Sequence, residues 1–150
     1  MLLCMSLGLL LAVYPLPSHY AWFRPEFIAL LSIFFALYHP YRFGVISAWT
    51  IGFIQDVVVA GVWGAHALAQ AFVVYVCLCS YQRLQSYGIV QQTLWVFVFV
   101  GVHQMAVNWV QGLDGYIAPA QMIILPSVVT ALCWPLLAVL LKPASHFSHH

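Results

Sequence analysis

The run Trp95-Val96-Phe97-Val98-Phe99-Val100-Gly101-Val102 has no polar side chain at any position, so neither face of the element it forms is built for water. Ile123-Ile124-Leu125 and the residues after it read the same way. In hydrocarbon every backbone amide and carbonyl must be paired inside the protein, which leaves helices or a closed barrel. A barrel wall alternates apolar and polar residues over segments of ~10 residues. Stretches that are apolar on both faces point to helices instead.

Composition extends this reading to the whole chain. Of 150 residues, 65% are hydrophobic and 5% charged. A soluble domain carries roughly 25% charged residues. Four Lys or Arg and three Asp or Glu cannot clothe a globule of this size in water, so lipid must be the solvent for most of its surface. The mean hydropathy of +0.98 agrees. So do six Trp and eight Tyr, which favour the headgroup level. A formal net charge of +1 cannot neutralise a run of phosphates, which argues against nucleic-acid binding. Cys4, Cys77, Cys79 and Cys133 all sit in apolar runs. They read as small packing residues, not as a disulfide framework.

The expected fold class is therefore an all-α integral membrane bundle of about six transmembrane helices, one polytopic domain over residues 1–142 with a short tail over 143–150. The predicted spans are Met1 to Tyr14, Pro25 to Tyr38, Phe43 to Ala60, Ala65 to Tyr81, Ile89 to Gln111 and Pro119 to Leu141. Pro25 suits a first helical turn, and Pro40 follows the exit of the same span. This second segment is short against the ~20 residues of a full crossing. It either dips part-way or extends back through Ala21, Trp22 and Phe23. Pro126 and Pro135 each remove a backbone donor within the sixth span and are expected to kink it.

Met1 to Val13 is short and apolar like a signal peptide, but no basic residue precedes it. A first spanning helix is the simpler reading, and its start at the initiator methionine fits a truncated start. If that helix runs outward, the inside segments hold Arg42, Arg83 and Lys142, and the outside segments hold Arg24, Glu26 and Asp114. This distribution obeys the positive-inside rule with both termini cytoplasmic.

Asp56 is the most informative single residue, since an ionisable group at membrane depth costs a few kcal/mol at a helix centre. Either it caps a neighbouring helix or pairs with a loop, or it serves function directly. Gly44, Ala48, Gly52 and Asp56 recur at spacing four, on one face. Small residues so placed let helix backbones approach closely, so this face is expected to be buried with Asp56 pointing into the protein. Gly61 and Gly64 suit a tight turn after it. A polar stripe on the fifth span holds Gln104, Asn108 and Gln111, with His103 beside them. Its two readings are helix-to-helix adhesion and a lined cavity facing Asp56 that takes a solute or a proton. His146, His149 and His150 read as a frayed polar end and not as a metal site, because a real site needs ligands fixed by a second layer of bonds. No cofactor is expected. Motifs of the HExxH, GxSxG, GxxxxGK[ST] or paired CxxC kind do not occur, and only Asp56 of the three carboxylates has the depth that an intramembrane aspartyl protease requires twice.

Phe23-Arg24-Pro25-Glu26, an apolar helix, and then His39-Pro40-Tyr41-Arg42 resemble the second-helix region of the MreD family. Gly52-Phe53-Ile54-Gln55-Asp56, continued through Gly61 and Gly64, is similar to that family's G-x-x-x-D … G-x-x-G signature. Ser127 through Thr130 to Trp134-Pro135 is similar to its last helix. The resemblance covers roughly residues 22 to 142. It departs in lacking a short cytoplasmic lead and a basic tail. What the resemblance implies is a non-enzymatic subunit of the bacterial cell-elongation machinery in the inner membrane. Its partner would be the single-pass protein MreC. Through MreC it would join MreB, RodA and the cognate penicillin-binding transpeptidase, which build lateral-wall peptidoglycan. Self-association into a homo-oligomer stays open. The fold implied is also similar to the substrate-binding subunits of energy-coupling-factor transporters, which supplies the alternative of a small-solute-binding membrane subunit.

Overall fold

A computed structural model describes residues 2–13, 26–59, 62–115 and 119–141. The described residues form six helices in chain order: α1 (Leu2–Val13), α2 (Phe27–Tyr38), α3 (Val45–Val59), α4 (Ala65–Gln85), α5 (Ile89–Leu113) and α6 (Gln121–Leu141). Each expected helix is present, and the described residues hold no strand.

The helix ends follow from local chemistry. Past Tyr38, Pro40 forces a turn: the His39 amide returns to the Phe35 carbonyl, and the His39 carbonyl accepts the Arg42 and Phe43 amides at 3.0 Å each. No breaker stands near Tyr81, so α4 continues to Gln85, one turn beyond expectation. Gly115, at φ 88°, closes α5 by donating its amide to the Gly112 carbonyl. α6 runs through both prolines as one helix. Ser127 and Thr130 donate their hydroxyls to the Ile123 and Pro126 carbonyls at 2.7 and 2.6 Å.

α4, α5 and α6 are long and apolar enough to cross a membrane; α2 and α3 are shorter apolar helices. The reason lies in where α2 sits. Every residue from Ile28 to Leu37 is buried, and α2 touches α1, α4, α5 and α6. A helix that is apolar all round is a buried one, and here protein surrounds it. Its 12 residues rise ~18 Å, short of a ~30 Å hydrocarbon layer. Neighbouring helices cover the sides that lipid would otherwise have to reach. The residues 21–23 that would lengthen it lie outside those described.

The core centres on this helix. Phe34 packs on Tyr38 and Trp134 with ring centroids 4.8 and 6.1 Å apart, and Trp134 and Phe43 are fully buried. Outward, Ile46, Leu94, Trp109, Leu132 and Leu140 are exposed, each more than half accessible. Such a surface suits acyl chains rather than water. Of the described free cysteines, Cys77 is buried, Cys133 half-buried and Cys79 exposed.

Candidate functional site

Gly52 and Asp56 stand one turn apart on α3, and both meet the first turn of α4. A Cβ on Gly52 would lie 2.7 Å from the Ala67 Cα and 2.7 Å from the His66 carbonyl oxygen. Only a bare backbone fits there. The close approach brings the fully buried Asp56 side chain onto the start of α4.

The first amides of a helix have no partner within it, and those of α4 are satisfied in full. The Ala65 amide reaches back to the Val62 carbonyl and the Leu68 amide to the Gly64 carbonyl. Asp56 Oδ1 accepts the His66 amide at 3.0 Å, and Oδ2 accepts the Gly64 and Ala67 amides at 2.9 and 3.2 Å. His66 Nδ1 adds a fourth bond to Oδ1 at 2.8 Å. Since the carboxylate only accepts, the His66 proton sits on Nδ1. A side-chain oxygen usually caps a helix from its own N-cap position. Here that position is Gly64, which has no side chain and needs φ 96°; the oxygen comes from another helix instead. The helix dipole also favours a negative group at this end.

The polar stripe of α5 is divided among partners. Gln104 Nε2 donates to Glu26 Oε1 at 3.0 Å, and the Glu26 amide donates to Thr130 Oγ1 at 2.9 Å. α5 and α6 are thereby tied to the N-terminal end of α2. His103 is fully buried, with its ring centroid 5.8 Å from that of His66. Asn108 and Gln111 lie half-buried further toward the end of α5. One turn deeper than His66 on α4, Gln70 Nε2 donates to Ser32 Oγ at 3.1 Å.

The remaining expected positions are more dispersed. Ala48 is fully buried on the α3 face shared with Gly52, whereas a Cβ on Gly44 would meet nothing within 4 Å. Pro40 lies in the turn at the opposite end of the bundle, and Pro135 is half-buried within α6. Arg24, Pro25, Gly61 and the tail over 143–150 lie outside the described residues. His66, Glu26, Gln70 and Thr130 belong to the cluster but do not stand out in the sequence as site residues. His66 and Gln70 are four apart, a spacing that puts them on one helical face; Thr130 carries no such signal.

Apart from this cluster, a part-open groove of about 290 Å³ runs between α1 and α6 over α2, lined by Leu7, Leu11, Leu30, Leu31, Leu136 and Leu140 among others. Among the described residues no group of three or more His, Cys, Asp or Glu is placed to hold a metal ion.

Three membrane-length apolar helices, an aliphatic outer surface and buried polar groups spent on joining helices define an α-helical integral membrane protein. The chain belongs to the MreD family: the model described as rod shape-determining protein MreD matches residues 1–144. Membership makes it a cell-shape-determining membrane protein. No solved structure matches the chain, so the expected likeness to energy-coupling-factor subunits gains no structural counterpart.

Proposed function

We propose that this chain is a non-enzymatic scaffold of the cell-elongation complex in the bacterial inner membrane. It binds the transmembrane helix of MreC and, through MreC, joins MreB, RodA and its penicillin-binding transpeptidase, supporting lateral peptidoglycan synthesis and rod shape. It acts as one polytopic domain over residues 1–142, with both termini cytoplasmic. The described charges support that orientation: Arg42 and Arg83 stand at one end of the bundle, Glu26 and Asp114 at the other.

The observation that carries the scaffold reading is the commitment of Asp56. Both its oxygens are occupied by donors of α4, so the deep carboxylate serves as a joint between helices and is not free as a base or a solute ligand. The Gln104 amide is likewise taken by Glu26. A solute-binding subunit needs an open polar cavity, and the groove on α2 is lined by aliphatic side chains; both points weigh against that alternative.

The test is co-purification of MreC in detergent with the wild-type chain and with Asp56→Ala, at matched membrane levels of both proteins. The scaffold reading expects MreC to be recovered with the wild type and reduced with the variant, together with loss of rod shape in cells that depend on the variant. MreC absent from the wild-type preparation overturns it.

A further inference from the structure

His103 is fully buried, and neither of its ring nitrogens has a partner among protein atoms. A neutral imidazole offers one donor and one acceptor, and buried polar atoms in folded proteins almost always bond to protein or to ordered water. Facing it from α4 is His66, whose Nδ1 is bound to Asp56. With its proton on Nδ1, the neutral His66 ring presents Nε2 as an acceptor. The two rings face each other with centroids 5.8 Å apart, and no direct bond joins them; a shared water is the partner that would serve both. One turn deeper on the same face of α4, Gln70 Oε1 is a further fully buried acceptor without a partner.

We propose that a buried water site lies between α4 and α5, held by His66 and His103. The water accepts the His103 N–H and donates to His66 Nε2, so the Asp56–His66 pair and the α5 helix become one hydrogen-bonded unit. A second water beside it satisfies the other His103 nitrogen. The half-buried Glu26, bound to the next residue of α5, marks the end from which water enters. The result is a hydrated seam inside an otherwise apolar bundle. It adds a directional joint between α4 and α5 to the bond that Gln92 Nε2 of α5 already donates to the Leu84 carbonyl of α4 at 3.0 Å.

The test is water-edited solid-state NMR of the full chain in lipid bilayers with 15N-labelled histidine. Magnetisation should pass from water to the ring nitrogens of His103 and His66, with the His103 signals assigned by their disappearance in His103→Asn. His39, at the end of α2, serves as the solvent-reached reference. No transfer to His103 while His39 responds overturns the site. Thermal unfolding in detergent gives a second readout. Water-bridged His103 requires that His103→Leu lower Tm by several degrees and that His103→Asn, which keeps a donor and an acceptor, recover part of the loss. A Tm raised by His103→Leu overturns the proposal, because it means the ring nitrogens had no partner to lose. If His103→Leu fails to fold, the wild-type NMR result alone decides.

Discussion

Asp56 of α3 holds His66 of α4 twice, by its backbone amide at 3.0 Å and by its ring Nδ1 at 2.8 Å, both on Oδ1. One side chain therefore sets where α4 begins and which way the His66 ring points.

Asp56→Ala removes the acceptor of three backbone amides and one ring nitrogen. Loss of a cap costs about 0.5–2 kcal/mol, and each buried donor left unpaired adds about 1–3 kcal/mol. The expected loss is at least about 3 kcal/mol, read by thermal or denaturant unfolding in detergent through tryptophan fluorescence. Asp56→Asn retains one acceptor oxygen and should lose clearly less. Equal losses for the two would show that the cap is not what Asp56 supplies.

Gly52→Ala places a Cβ 2.7 Å from the α4 backbone, and backbone cannot yield as a flexible side chain does. Overpacking of this kind costs about 1–3 kcal/mol. Gly44→Ala, with nothing within 4 Å, should stay within about 0.5 kcal/mol of wild type. The two glycines share one face in the sequence pattern, so this contrast in Tm tests the structure and not the pattern.

Gln104 and Glu26 join α5 to α2 by a side-chain hydrogen bond. A double-mutant cycle of Gln104→Leu and Glu26→Ala, each of which removes the bond, should give a coupling energy near ~0.6 kcal/mol and below ~2 kcal/mol, the range of interhelical bonds in membranes. Coupling indistinguishable from zero, measured by unfolding, would remove this bond from the account.

Thr130→Val deletes the oxygen that accepts the Glu26 amide while keeping the side chain's shape. The expected cost is about 1 kcal/mol. Thr130→Ser should restore most of it, because its hydroxyl can reach the same two partners. Failure of serine to rescue would assign the effect to packing of the lost methyl.

The residues alone determined the solvent and the elements. Seven ionised side chains in 150 cannot face water, and the apolar runs, with Pro25, Pro40 and Gly64 among the residues at their boundaries, place six helices with ends within a few residues. These are properties of local segments and of total composition, so they survive without knowledge of any contact. The Gly52–Asp56 spacing also indicated a buried face, because four residues bring two side chains onto one side of a helix. Tertiary structure decided the rest. That α2 is enclosed by neighbours, that Asp56 caps α4 rather than lining a cavity, and that Glu26, Thr130 and His66 join the same polar cluster all depend on the depth and rotation of one helix against another. In a chain this uniformly apolar, many rotations bury a similar area. The choice among them falls to a few directional bonds between residues distant in sequence, which no single segment can reveal.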